Sequence, residues 1–193
     1  MVDWNHWIYE KGVDLLKTSG VQPGDNIIEF GSGIGDYTLP AAILIESEGA
    51  NGKITAIDED GYDLDELKER VDKLGLNNIE MLETRGDLSI EKENEVADVV
   101  LVFDVLHYFN ESERATLYGE IYRVLNPDGK FITFPQHYKD SYPLWNLSDM
   151  ELSEIIDEIE FHHFKLQNKW RGKLIHDHDW YNGIVLTFKK ETR

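Results

Sequence analysis

The sequence predicts an α/β fold: a doubly wound, mostly parallel sheet of seven strands with an antiparallel hairpin at its C-terminal edge. Three observations predict it. Short β-branched runs alternate with longer helical stretches along the chain. The loops between them are short, as strand–helix–strand units on a shared sheet require. The last two apolar runs have no helical pattern between them, so they should pair as a hairpin at one edge.

Each element has its own signal. Trp7 to Thr18 reads as a helix ended by Gly20 and Pro23-Gly24. Asn26 to Phe30 is a short apolar strand running into a glycine loop. Tyr37 to Glu46 is a helix that tolerates Pro40 because it falls in the first turn, where a missing N–H costs nothing. Lys53 to Ile57 is a second strand, closed by Asp58. Leu64, Leu67, Val71 and Leu74 form one face of a helix stopped by Gly75. Ile79 to Leu82 and Ala97 to Phe103 are the third and fourth strands, and the apolar run of the latter, continuous from Val99 to Phe103, suits a strand covered on both faces. Glu111 to Leu125 is helical, Asn126-Pro127-Asp128-Gly129 reads as a turn, and Lys130 to Phe134 is the fifth strand. Ser148, with Glu151 three residues on, should cap a helix reaching Ile159. Phe161 to Trp170 and Ile184 to Lys189 complete the sheet.

The 193 residues fit one domain, 1–193, with a helix over 4–19 and an insert over 135–160. Asp3, Trp4, Asn5 and His6 stand where a signal peptide would carry basic and then apolar residues, so a cytoplasmic location is expected. No apolar run approaches the ~20 residues of a membrane span. With no cysteine, thiolate metal sites and thiol nucleophiles are excluded. The formal charge of −19 is unsuited to a phosphate backbone, which is bound by Lys and Arg, so no nucleic-acid partner is expected.

In such a sheet ligands bind beyond the carboxyl ends of the strands, which directs attention to the loops after Phe30, Ile57, Glu83 and Phe103. The first reads Glu29-Phe30-Gly31-Ser32-Gly33-Ile34-Gly35-Asp36. Alternate glycines let the backbone turn sharply and approach a ligand. A dinucleotide fingerprint would need glycine at position 36, where Asp36 would repel a pyrophosphate. Glu29 suits a cationic amine, so the loop fits a ligand with an amino-acid end. Asp58, at the end of the second strand, can accept both hydroxyls of a ribose.

With these pieces in place, the chain resembles the class I S-adenosylmethionine-dependent methyltransferases, particularly the small-molecule enzymes of the ubiquinone-biosynthesis type. The likeness runs from about Ile27 to Phe134 through I-I-E-F-G-S-G-I-G-D, A-I-D-E-D, T-R-G-D-L, A-D-V-V-L-V-F-D-V-L-H-Y-F and E-I-Y-R-V-L-N-P-D-G-K-F-I, in order. It implies a Rossmann-like fold and S-adenosylmethionine as cofactor, with S-adenosylhomocysteine as product. By the same resemblance Glu29, Gly31, Ser32, Gly33 and Gly35 hold the methionine end, Asp58 the ribose and Asp87 the adenine amino group. Leu88 packs on or near the ring, and Phe103 and Asp104 lie beside the methionine and the reacting methyl. Glu59 falls where the family often has an apolar residue stacking on adenine. No N-P-P-Y-type tetrapeptide follows the fourth strand, which removes the best sign of methylation at an amide or base nitrogen.

Methyl transfer from a sulfonium needs mainly alignment and exclusion of water. A base is required only if the acceptor must lose a proton, and His107 is the best-placed candidate. Asp104 and Glu111 would make it a poorer base by raising its pKa if they are near in space, so a packing role is preferred. Trp7, Tyr108, His137 and Trp145 are candidates for the substrate wall, which the family builds from its N-terminal helix and the insert after the fifth strand. His176-Asp177-His178-Asp179 has the look of a metal site but reads better as a polar loop, and no metal is expected. Two other readings stand beside a small-molecule methyltransferase. One is a nicotinamide-dependent oxidoreductase, against which Asp36 counts. The other is a module that binds S-adenosylmethionine without catalysis and acts through a protein partner.

Overall fold

The computed structural model describes residues 2–176 and 179–192. The strands are β1 (Ile27–Phe30), β2 (Ile54–Asp58), β3 (Ile79–Glu83), β4 (Ala97–Phe103), β5 (Leu125–Phe134), β6 (Phe164–His176) and β7 (Asp179–Lys190). They form one seven-stranded sheet in the order β3-β2-β1-β4-β5-β7-β6. The helices are α1 (Trp4–His6), α2 (Gly12–Ser19), α3 (Thr38–Ile45), α4 (Gly61–Leu74), α5 (Glu111–Val124) and α6 (Leu152–Phe161). The chain divides into two compact units, Met1–Gly86 with Gly172–Asn182, and Asp87–Arg171 with Gly183–Arg193.

In the first unit β1 pairs in parallel with β2, Ile27 opposite Ile54, and β2 in parallel with β3, Ile54 opposite Ile79. All four residues of β1 are buried. Helix α3 is apolar nearly all round, and Pro40 sits in its first turn as the sequence requires. Helix α4 is amphipathic: Asp60 caps it by accepting the Tyr62 N–H, Leu64, Leu67 and Val71 are buried, and Gly75 ends it at φ 69°. The N-terminal helix starts earlier than its apolar pattern, at Trp4, because the Asp3 carboxylate accepts the His6 N–H. It also contains a π-helical turn, Trp7–Lys11, that the sequence does not announce. Gly12 follows that turn, and a Cβ there would lie 2.7 Å from Pro40 Cβ, so the missing side chain is what lets α2 approach α3.

In the second unit β4 pairs in parallel with β5, and β5 is antiparallel to β7, Lys130 opposite Lys189. Asn126-Pro127-Asp128-Gly129 is not a turn between elements. Ala97 faces Leu125 and Val99 faces Lys130, so these four residues form a bulge inside β5. Ser148 is not a helix cap either. It follows the 3₁₀ turn Trp145–Leu147, and the cap of α6 is Glu151, which exchanges hydrogen bonds with Glu154. His162 and His163 lie in the turn after α6, before the last pair of strands begins at Phe164. No helix follows β3: residues 84–96 are irregular, because Leu88, Ile90 and Val96 do not fall on one helical face. Arg123 ties the end of that loop down by donating to the carbonyls of Ile90 and Lys92.

Candidate functional site

The first unit presents the glycine loop. Gly31, Gly33 and Gly35 all have left-handed φ, at 77°, 49° and 88°. A Cβ at Gly35 would run into Leu67 Cδ1 of α4, so both conformation and space demand glycine there. The Gly31 and Ser32 N–H groups donate to the Ile57 carbonyl at 2.8 and 3.0 Å, pinning the loop to the end of β2. Gly33 N–H donates to Asp58 Oδ2 at 2.6 Å, and Asp60 N–H to Asp58 Oδ1 at 3.0 Å. The loop and the acid expected to hold the ribose are thus brought together. Ser32 is buried, and its Oγ has no hydrogen-bond partner among the described residues. A buried hydroxyl in that condition calls for a ligand or a water.

Glu29 sits beneath the loop, 1% exposed, and accepts the Thr38 hydroxyl at 2.5 Å. Burial pushes its carboxyl up to about 8, against the lowering effect of the Thr38 hydrogen bond; the charges of Asp36 and Asp58 add to the rise. It therefore holds its proton near neutrality until a cation arrives. Asp36, whose charge argues against a pyrophosphate, is paired with Arg70 at 3.1 Å, and Arg70 also donates to the Ile34 carbonyl and lies 4.6 Å from the Trp4 ring centroid. Glu59 is exposed, with Oε2 3.1 Å from where a Cβ on Gly86 would be.

Trp7 does not fit the place expected of it. It is fully buried, donates its indole N–H to the Asp36 carbonyl at 2.6 Å, and packs edge-on against Tyr37 and Trp180. It braces the loop from behind. Trp4 instead lines an open cleft with Ile8, Ile34, Tyr62 and Asp63. Thr38 and Arg70 are neighbours of the glycine loop that the sequence did not single out. Arg70 is legible only as one more charge on an amphipathic helix.

The second unit brings together Asp104, His107, Tyr108, His137 and Trp145. His107 is 1% exposed and stacks on Trp145, with centroids 4.9 Å apart and planes 18° apart. The His137 ring meets His107 edge-on at 4.5 Å, and Tyr108 lies 4.2 Å from His107. His107 Nδ1 is 3.7 Å from Asp104 Oδ1. Asn146, another residue the sequence did not flag, donates to the carbonyls of His107 and Tyr108 and ties the insert to the loop after β4. Tyr108 and Trp145 remain more than half exposed, so the cluster has an open side. Phe103 is buried at the end of β4. Asp87 is exposed, its Oδ1 accepting the Ser89 N–H and hydroxyl at 3.1 and 2.6 Å, and Leu88 is half-buried beside it. Of the His-Asp-His-Asp segment, Asp177 and His178 lie outside the described residues.

The family profile described as "Methyltransferase domain" matches residues 27–129, just over half of the chain. A demethylmenaquinone methyltransferase from Oceanobacillus iheyensis is 28% identical over 119 residues, 62% of this chain and 48% of that enzyme, so the chain spans about half the length of that relative. A carboxy-S-adenosyl-L-methionine synthase from Escherichia coli is 25% identical over 183 residues, 93% of this chain and 68% of its own. Among solved structures, an S-adenosylmethionine-dependent methyltransferase from Aquifex aeolicus superposes with a TM-score of 0.77 at 18% identity, covering 97% of this chain and 93% of the other.

Proposed function

The chain belongs to the methyltransferase-domain family, whose cofactor is S-adenosylmethionine, and we propose that it transfers the methyl group to a small-molecule acceptor. The observation that carries the acceptor class is the ring cluster of His107, Tyr108, His137 and Trp145, half-open and without a lysine or arginine among its members. Such rings bind apolar or cationic small molecules by area and by their quadrupoles. With a charge of −19, the chain offers nucleic acid little to hold. Among the described residues no helix is long and apolar enough to cross a membrane. A cytoplasmic location belongs to the same proposal.

The residues present fit the cofactor. The unpartnered Ser32 hydroxyl, the glycine backbone at 31–35 and Glu29, which can give up its proton to meet the ammonium group, suit its amino-acid end. In this proposal Asp58 takes the ribose hydroxyls, and Asp87, Leu88 and Glu59 serve the adenine. Phe103 and Asp104 serve the methionine side. The cofactor supplies an already activated methyl group. The protein's task is to hold the acceptor in line and keep water out, an effect worth up to ~7–11 kcal/mol of barrier.

The test is incubation with methyl-labelled S-adenosylmethionine and fractionated cell extract. Label in the low-molecular-mass fraction supports the proposal. Label only in protein or nucleic acid contradicts it. Binding of the cofactor without turnover on any fraction would favour the non-catalytic module instead.

A further inference from the structure

We propose that Asp104, His107 and His137 form a binding site for a divalent transition-metal ion. Each offers one ligand atom, and these atoms all lie within 4.8 Å of one another. Two imidazoles and one carboxylate suit zinc, iron(II) or cobalt(II), and three protein ligands leave a position open for another molecule. Both histidines are buried, at 1% and 4% exposed, so neither is a solvated surface ring.

Independent features agree. His137 Nδ1 lies 2.9 Å from the Tyr142 carbonyl. A carbonyl only accepts, so Nδ1 carries the hydrogen, and in the neutral ring the lone pair sits on Nε2. A metal-bound histidine is commonly oriented in this way, by donating its other N–H to a carbonyl. The backbone is also held in unusual conformations at this place. Asp104, His137, Tyr142 and Trp145 all have left-handed φ, between 52° and 64°. Aspartate and histidine tolerate that region better than most residues, but tyrosine and tryptophan do so rarely. Strain of this kind tends to gather where a ligand is held. One residue before His137, Gln136 is 1% exposed, and its Nε2 has no hydrogen-bond partner among the described residues. That donor suits an acceptor atom brought in by a ligand.

The metal site does not depend on the methyl-transfer reading, but it narrows that reading, because a divalent ion among these rings disfavours a cationic acceptor and leaves an uncharged one. An acceptor hydroxyl or thiol bound at the open position would lose its proton to solvent more readily. The resulting anion would form the new bond to the methyl carbon as the carbon–sulfur bond breaks, and S-adenosylhomocysteine would leave as a neutral thioether. This consequence rests on the proposed function, whereas the metal itself can be read without cofactor or turnover.

The experiment is titration of chelator-treated full-length protein with Co²⁺ at neutral pH, followed by visible absorption, then by competition with Zn²⁺. The expected result is a spectrum that saturates at one equivalent and is displaced by zinc. His137→Ala and Asp104→Asn should each weaken binding by more than the ~10–100-fold typical of losing a ligand's supporting partner. Melting temperature and circular dichroism of each metal-free variant report whether it folds. Asparagine matches aspartate in shape and tolerates left-handed φ, so Asp104→Asn carries the test if the histidine variant does not fold. Absence of stoichiometric binding would overturn the proposal. So would binding unchanged in both variants, or binding lost only when His162, His163 or His176 is replaced.

Discussion

At the scale of single residues, Glu29 and Asp58 carry the sharpest expectations. The Glu29 carboxyl is raised from 4.5 to about 8 by burial. Between those values the unfolded chain has released a proton that the folded chain keeps, so the folded state loses stability as pH rises. Glu29→Gln should remove that dependence: its melting temperature relative to the parent protein should be higher at pH 8 than at pH 5. The cofactor's ammonium group favours the ionised carboxylate. S-adenosylhomocysteine binding near neutrality should therefore release a proton, and affinity should rise with pH up to about 8. Calorimetry in two buffers of different ionisation enthalpy measures the release, and binding with no proton exchange would contradict this role for Glu29. Asp58→Ala should lower the affinity about tenfold to a hundredfold, the loss of ~1.5–3 kcal/mol of hydrogen bonding to a charged group. Because Asp58 also accepts the N–H groups of Gly33 and Asp60, the same change should cost about 1–2 kcal/mol of stability. An unchanged affinity would place the nucleoside elsewhere.

At the scale of elements, the pairing of α5 with α6 is a clear target. Arg114 is 3% exposed and grips Glu158 through two parallel bonds, Nε to Oε1 at 2.7 Å and Nη2 to Oε2 at 2.6 Å, while the Tyr118 hydroxyl donates to the same carboxylate at 3.0 Å. Removing one member strands a buried charge, so Glu158→Ala should destabilise the protein by about 3 kcal/mol in chemical denaturation. A loss below ~1 kcal/mol would show that the pair behaves as an exposed bridge. The elements also show what a sequence discloses. Helix α4 is legible because its apolar period and its stop at Gly75 agree. Ser148 misled because a Ser-x-x-Glu spacing occurs by chance, and here Glu151 and Glu154 cap each other instead. Pro127 misled similarly, since a proline–glycine stretch fits a bulge as well as a turn, and only the register with β4 distinguishes them. The π-helical turn at Trp7–Lys11 has no local signature and depends on Gly12 meeting Pro40 across two helices.

At the scale of the whole molecule, the alternation of apolar runs and helical faces made a mostly parallel seven-stranded sheet with an antiparallel edge readable from the chain alone, whereas the strand order is given by the structure. The glycine loop and Asp58 were readable too, because glycine at positions 31, 33 and 35 and an acid at a strand end each have a physical reason to be there. The ring cluster of the second unit was only half readable. Its members come from the loop after β4 and from residues 137–146, and no periodicity links them. Trp7 was assigned to a substrate wall on its type, whereas its burial makes it a brace. The claim beneath all of these is that the loop after β1 and the acid that ends β2 hold an S-adenosyl ligand. The most direct measurement is calorimetric titration of the purified protein with S-adenosylhomocysteine and, separately, with NAD. Saturable binding of one S-adenosylhomocysteine per chain and no heat from NAD is the predicted result; tight NAD binding with no response to S-adenosylhomocysteine would contradict it.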